Sequence, residues 1–310
     1  MICIRNVSKA FDRTIALNGL DMNVKRGSAY GLVGANGAGK TTILRLLTGV
    51  LKPDGGEIMI EDEPVYENTG VKARMAFIPD DLAFFGRHTP KDLARLYSSL
   101  YDRWNFSMYQ QIMGDFRLPG NISLSRFSKG MQKQTAFALT LAAVPDYLIL
   151  DEPVDGLDPI AKKIVWHYIM YSVAGRQMTV LVSSHNLREL EGICDSVGII
   201  DCGRMVLEKE LSELRSDIHK LQISFGSAGS LSDGAGNSLT PEGAYAGLNV
   251  LHLERRGAVD VLITRESREN LEQWAGEFRP VLFDPVPLTL EEVFIYELGG
   301  AYNANRAIFE

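Results

Sequence analysis

A Gly-x-x-x-x-Gly-Lys-Thr run, Gly34-Ala35-Asn36-Gly37-Ala38-Gly39-Lys40-Thr41, followed by Thr42, carries the residue types that hold a chain of phosphates. Glycines let a loop wrap closely enough for successive backbone N–H groups to point inward at phosphate oxygens. A helix that starts where the loop ends adds the positive end of its dipole. In such a cradle Lys40 reaches the β and γ phosphates, and the Thr41 hydroxyl is offered to Mg²⁺. A glycine-rich turn with no ligand is the competing reading. The strand-like run from Ala29 to Val33 before the loop and the helix-like run from Thr41 to Thr48 after it favour the nucleotide site. A second group able to do chemistry lies further on, where the continuous apolar run Tyr147-Leu148-Ile149-Leu150 stops at two carboxylates, Asp151 and Glu152. Two solvated acids in a turn are the bland alternative, and the apolar run before them argues against it.

The elements that must position these residues are legible as alternating strands and helices. Ile2 to Val7 and Thr14 to Val24 alternate loosely, with turn signals at Asn18-Gly19 and Arg26-Gly27 and with Phe11 in the loop between them, as antiparallel strands would. Pro53-Asp54-Gly55-Gly56 reads as a turn, Glu57 to Ile60 as a short strand, and Met75 to Ile78 as a buried strand that stops at Pro79-Asp80-Asp81. From about Leu82 to Thr140 the texture is helical: Leu93, Leu96, Tyr97 and Leu100 follow Thr89-Pro90, and Ser128 is placed to cap a helix through Ala136, Phe137 and Leu141. Asp158-Pro159 opens a helix to about Ala174 with Gly175 as its stop. Thr179 to Ser183 is an apolar strand followed by Ser184-His185, and Val197 to Leu207 is a hairpin turning over Asp201 to Arg204. Buried strands with every polar motif at a carboxyl end describe an α/β parallel sheet whose ligand sits at that edge.

Beyond about Glu210, Gly226 to Ser230 and Asp233 to Gly236 have loop composition. Strand-like runs follow from Leu248 to Leu253, Val259 to Thr264 and Pro280 to Asp284, with a short helix near Ser267 to Phe278 and a last helix opened by the capping box Thr289-x-x-Glu292. Leu211 to Glu310 is thus expected to be a small α+β accessory domain without a catalytic constellation. The chain has 310 residues, 45% hydrophobic and 23% charged, with net charge -7, an ordinary globular composition. Without a Lys/Arg block to neutralise a phosphate backbone, nucleic acid is not an expected partner. Cys3, Cys194 and Cys202 have neither metal-ligand nor disulfide spacing and fit a reducing cytosol. No signal peptide is read at the start, and no apolar run approaches the ~18 residues of a spanning helix. No internal repeat is evident, so one nucleotide site's worth of motifs is present.

Taken together, the loop Gly34 to Thr42, Ser128-Lys129-Gly130-Met131-Gln132, Leu148 to Pro153, Gly156-Leu157-Asp158 and Ser183-Ser184-His185 resemble the ATP-binding cassette (ABC) ATPases, in that family's order and spacing. The resemblance spans roughly Ile2 to Glu208. A lone phosphate loop would also suit kinases and GTPases, but these lack a signature segment just upstream of an Asp-Glu strand end. Pro287 to Phe294 resembles the tail of ATPases that serve ABC-2 type exporters. The resemblance implies a P-loop NTPase core with an antiparallel β subdomain and a helical insert at about residues 82–140, in a nucleotide-binding domain of residues 1–208, with the accessory domain over 211–310. It also implies ATP and Mg²⁺ as cofactors. Lys40 would neutralise the β and γ phosphates, Thr41 would ligate Mg²⁺, Asp151 would hold the metal largely through its water, and Glu152 would polarise the attacking water. His185 matches the switch histidine that contacts the γ phosphate. Phe11 matches the aromatic that stacks on adenine, with a core phenylalanine as the alternative. Ser128 and Gly130 match the phosphate-contacting residues of the signature.

Two departures stand out from the family pattern. Asp80 occupies a position usually held by Gln that touches Mg²⁺ and the catalytic water; either Asp80 or Asp81 could serve there. The signature, commonly Leu-Ser-Gly-Gly-Gln, carries Lys129 and Met131. Because that segment faces ATP bound by a second subunit, the resemblance implies a head-to-tail dimer, homomeric or heteromeric. It further implies a cytoplasmic subunit held on the inner face of the membrane by an integral permease. The permease would be gripped among Leu82, Phe84, Phe85 and the region of Leu93, although Phe84-Phe85 equally suits the insert's own core. The leading expectation is thus an exporter ATPase. A soluble ABC ATPase acting on ribosomes or DNA, and a low-turnover ATP sensor, are the alternatives.

Overall fold

The apolar run before the glycine loop is a strand, β3 (Ala29–Val33), buried at every residue. Burial on both faces is what a central parallel strand requires, and it explains why the run does not alternate. In the computed structural model β3 lies inside a six-stranded sheet in the order β10-β9-β3-β8-β7-β6, formed with β6 (Met75–Ile78), β7 (Tyr147–Asp151), β8 (Thr179–Ser184), β9 (Ser196–Asp201) and β10 (Arg204–Glu210). β6, β7, β8, β3 and β9 run parallel. Their register matters for function, because Ile78 pairs with Leu150, Asp151 with Ser183, and Val33 with Ser184. The strand ends leading to Asp80, Glu152, His185 and the glycine loop therefore arrive side by side at one sheet edge.

A second sheet, β2-β1-β4-β5, is built from β1 (Ile2–Phe11), β2 (Thr14–Val24), β4 (Gly55–Ile60) and β5 (Glu63–Pro64), with β1 antiparallel to β2 and β4. Helix α1 (Lys40–Leu47) packs between the two sheets. Ile43, Leu44 and Leu47 share one core cluster with Ile4, Leu17 and Ile60 from one sheet and Ile149, Leu181 and Ile200 from the other. Asn18-Gly19, a turn signal in the sequence, lies inside β2, where the register shifts and Gly19 has φ 65. The reversal comes at Asp12-Arg13, and Phe11 ends β1 opposite Thr14 instead of lying in a loop. A Cβ at Gly19 would meet Asn6 Oδ1 at 2.9 Å, so glycine serves the bulge.

After β5 and the short helix α2 (Thr69–Ala73), β6 leads to the helical region, made of α3 (Pro90–Leu100), α4 (Phe106–Asp115) and α5 (Lys129–Ala142). Each has a side-chain cap: the Thr89–Asp92 box for α3, Asn105 for α4 and Ser128 for α5. Asp158 caps α6 (Pro159–Arg176) through the N–H groups of Ile160 and Ala161. Gly175, expected to stop α6, lies within it, and Gln177 takes the left-handed position at its end with φ 55. A four-residue helix, α7 (Leu187–Leu190), follows β8.

The structure describes residues 1–82, 87–213, 218–226, 231–232, 238–239, 241–289, 291–293 and 296. These fall into two compact units, Met1–Glu208 and the described part of Lys209–Arg306. The second unit contains the sheet β14-β15-β11-β16, formed by β11 (His219–Ser224), β14 (Val250–Arg256), β15 (Val259–Thr264) and β16 (Leu282–Val286); a separate pair, β12 (Leu231–Ser232) with β13 (Ser238–Leu239), lies beside it in sequence. Leu221, Ile223 and Leu262 from the sheet pack with Leu271 and Trp274 from the helix Arg268–Phe278. The strand expected from Pro280 starts at Leu282, and the one expected from Leu248 starts at Val250. Thr289 and Glu292 form the reciprocal capping bonds their spacing suggests, at 3.0 Å and 3.3 Å.

Candidate functional site

The glycine loop closes over its own lysine. Lys40 is 6% exposed, and its Nζ donates to the carbonyls of Gly34 at 2.6 Å and Ala35 at 3.3 Å. The loop is too tight for most side chains: a Cβ at Gly34 would lie 2.3 Å from the Ile200 carbonyl oxygen, and one at Gly39 would lie 2.8 Å from that of Ala16. Gly37 and Gly39 have φ 84 and 113, a region that glycine adopts without penalty. Asn36 and Gly37 face solvent, Ala38 is buried, and Thr41 and Thr42 are half-buried in the first turn of α1. Gly39 caps α1 without any side-chain bond, so no cap side chain occupies the N–H groups of that turn. A buried cation, a positive helix end and open N–H groups make a cradle for phosphate oxygens.

Opposite the cradle stand the two carboxylates. Asp151 is 1% exposed and accepts a hydrogen bond from Ser183 Oγ at 2.6 Å. The same Ser183 oxygen accepts from the Glu152 N–H at 3.0 Å, so one hydroxyl ties both acids to β8. Glu152 adopts φ 46, a conformation non-glycine residues rarely hold, which turns its side chain out of the strand direction. Its Oε2 meets His185 Nδ1 at 2.9 Å and the His185 N–H at 3.4 Å. Its buried Oε1 has no hydrogen-bond partner and sits 3.4 Å from Lys40 Nζ, an ion pair at long range. The loop of His185 is pinned in turn: Ser184 Oγ accepts from the Asn186 N–H and donates to Glu189 Oε2, and Glu189 pairs with Lys162 at 2.7 Å.

The donor set suits a hard cation. Thr41 and Asp151 offer oxygen, and among the described residues no cluster of three or more His, Cys, Asp or Glu forms a protein cage for a metal. Hard cations such as Mg²⁺ take oxygen ligands of this kind. The cysteines take no part. Burial, with Asp195 nearby, pushes the Cys194 thiol up to about 12, and Asp201 beside Cys202 raises that one.

Lys40, Glu152 and His185 are thus joined through direct contacts, and Asp151 is held next to them. Phe11 is 43% exposed with Lys9 Nζ 5.6 Å above its ring, so it is a surface aromatic and not a core residue. Ser128 and Gly130 take no part in these contacts: Ser128 is exposed with its hydroxyl accepting from the Met131 N–H, and among the described residues no hydrogen bond or ion pair links either to Lys40, Asp151, Glu152 or His185. Asp80 pairs with Lys133 at 2.9 Å, and Asp81 is exposed. Leu93 is buried, while Phe84, Phe85 and Phe294 lie outside the described residues. Two contributors escaped the sequence reading. Ser183 stands in the Ser-Ser-His motif with no role of its own in the sequence, and Lys133 is one of several polar residues in α5 whose direction only the helix phase reveals.

A family profile described as ABC transporter matches residues 17–155, which include the glycine loop, the signature segment and both acids. Over 300 residues the chain is 28% identical to the ABC transporter ATP-binding protein YtrB of Bacillus subtilis (strain 168), covering 97% of this chain and 99% of that protein. It is 34% identical over 218 residues to the Nod factor export ATP-binding protein I of Burkholderia orbicola (strain AU 1054), covering 67% of this chain and 70% of the other. A solved structure of an ATP-binding subunit of an ABC transporter superposes with TM-score 0.64 at 26% identity, over 69% of this chain and 92% of that one. With a tight glycine loop around Lys40 facing an acid pair at the same sheet edge, the chain belongs to the ABC transporter ATP-binding proteins and is an ABC ATPase.

Proposed function

We propose that this ATPase powers a separate integral membrane permease of the ABC-2 exporter type, working as a head-to-tail dimer that closes on ATP and opens after hydrolysis. The observation that carries the reading is the placement of the Glu152 carboxylate between Lys40 Nζ at 3.4 Å and His185 Nδ1 at 2.9 Å. Lys40 and the loop N–H groups of Gly34 to Thr42 bind and neutralise the β and γ phosphates. Glu152 takes the proton of the attacking water, and His185 holds that carboxylate and contacts the γ phosphate. Thr41 and Asp151 would hold Mg²⁺, with Asp80 as a further contact; the metal supplies charge neutralisation on the phosphates. Phe11 offers its exposed face to adenine.

The dimer reading rests on the resemblance of the run Ser128 to Gln132 to the family's signature segment, which serves nucleotide held by the second subunit. Whether that subunit is a second copy or a related chain, the geometry asked of it is the same. No helix of the described residues is long and apolar enough to cross a membrane, and the proposed reading puts the permease partner at the cytoplasmic face. Export is supported by the name of the Nod factor relative. A net charge of -7 supports the reading that nucleic acid is not a partner. Steady-state turnover with Mg-ATP tests the assignment. Glu152→Gln should lower kcat by about a hundredfold or more with nucleotide affinity kept, whereas Lys40→Ala should lose affinity. Turnover in Glu152→Gln close to wild type would remove Glu152 from the proposed role.

A further inference from the structure

A lysine outside every motif sits behind the catalytic edge. Lys133 lies on α5, beyond its Ser128 cap, with a side chain only 12% exposed. Its Nζ reaches three oxygens from two different segments: Asp80 Oδ1 at 2.9 Å, the Glu152 carbonyl at 3.0 Å and the Asp155 carbonyl at 3.2 Å. An ammonium has three protons to donate, and here each has an acceptor. The two carbonyls bracket the turn that follows β7, in which Glu152 holds φ 46 and the Asp155 N–H donates back to the Glu152 carbonyl at 3.3 Å. A left-handed non-glycine residue persists only where its surroundings hold it. Ser183 holds the peptide group before Glu152 through its N–H at 3.0 Å, and Lys133 holds the peptide group after it through its carbonyl.

We propose that Lys133 is a positioning residue for Glu152, with Asp80 as its counter-ion, so that the placement of α5 sets the angle at which the carboxylate meets its water. The proposal rests on the assignment of Glu152 as the proton acceptor. Partial burial explains why an acid is useful at position 80: a lysine with two carbonyl partners and little solvent gains from a nearby negative charge. One cation thereby links the end of β6, the turn after β7 and the helix that begins at the signature segment. A shift of α5 would be felt directly at the Glu152 peptide.

The test compares full-length wild type with Lys133→Met, Lys133→Arg, Asp80→Asn and the Lys133→Met/Asp80→Asn pair. Turnover is measured at saturating Mg-ATP and saturating magnesium, and binding with a fluorescent ATP analogue. Misplacing a catalytic group by about 1 Å costs up to about a hundredfold. Lys133→Met should therefore lower kcat by about tenfold or more while the analogue's Kd changes by less than about threefold, and Lys133→Arg should recover part of the loss. The double variant should turn over within about twofold of Lys133→Met, since the counter-ion has nothing left to serve. A Lys133→Met kcat within about twofold of wild type, a parallel loss of binding, or losses that multiply in the double variant would overturn the proposal. Should Lys133→Met fail to fold, Lys133→Arg and Asp80→Asn read the same outcomes, through partial kcat loss at unchanged Kd. Glu152→Gln run in parallel separates the two assignments. Retained turnover there overturns the Glu152 role and this proposal with it, whereas an inactive Glu152→Gln beside an unaffected Lys133→Met overturns this proposal alone.

Discussion

Asp151 and Glu152 are neighbours in sequence with opposite environments, and the difference decides what each can do. The Asp151 carboxylate is buried with a Ser183 hydroxyl on it, a fixed oxygen for the proposed metal; Glu152 faces a cation on one side and an imidazole on the other. Asp80 is one of the two places where the chain departs from the family pattern. Its pairing with Lys133 uses one oxygen and leaves the carboxylate half-exposed, so a metal contact through the other oxygen is a separate proposal. Asp80→Asn should raise the magnesium concentration needed for half-maximal turnover, and Asp81→Asn should leave it unchanged. A magnesium titration with identical midpoints in wild type and Asp80→Asn would confine Asp80 to the Lys133 contact. At this scale the motif residues were legible because phosphate chemistry fixes their type and spacing. Lys133 and Ser183 were not legible, because their roles come from register and helix phase: Ser183 faces Asp151 through a parallel pairing that joins strands 32 residues apart in the chain.

The elements show the same division between local and non-local information. α3 was readable from Thr89-Pro90, and its capping box forms as the sequence suggests, with Asp92 Oδ2 accepting from the Thr89 N–H at 3.0 Å. Thr89→Ala should cost about 1 kcal/mol of stability in denaturant unfolding; a loss below about 0.3 kcal/mol would mean that tertiary packing alone holds the helix start. α4 lies within the stretch expected to be helical but has no bounds of its own in the sequence, although Asn105 caps it and Tyr109, Ile112 and Met113 give it a buried face, because its ten residues carry little apolar contrast. β11 was missed for a related reason: only Leu221 and Ile223 alternate inward, too few to stand out, yet the strand lies between β15 and β16 in its sheet. Gly175 misled because a glycine stops a helix only where the backbone turns left-handed, and here Gln177 makes that turn.

Acid sensitivity of the second unit also belongs to the elements. Partial burial would raise the Glu292 carboxyl, but Lys220 Nζ at 2.6 Å and the Thr289 N–H and hydroxyl outweigh it and hold the group below its ordinary 4.5. A depressed carboxyl contributes stability that is fully present above its unfolded value and is lost as pH falls through the folded value. Thermal melts between about pH 3 and 6 should therefore show a smaller acid-induced loss in Glu292→Gln than in wild type. Equal slopes would show that this contact adds nothing to the folded unit.

For the whole molecule, the fold class followed from strands that end in polar motifs at one edge, and the parallel register brings those motifs together. The similarity to YtrB runs through both units, covering 97% of the chain, so the second unit shares the relationship. In the proposed function each chain supplies half of each nucleotide site and works by closing on a second chain across ATP. Size-exclusion chromatography with light scattering on Glu152→Gln, with and without saturating Mg-ATP, tests it most directly. A monomer without nucleotide and a stable dimer with it are expected, the dimer being absent in Lys40→Ala under the same conditions. A Glu152→Gln protein that binds ATP and stays monomeric would contradict it.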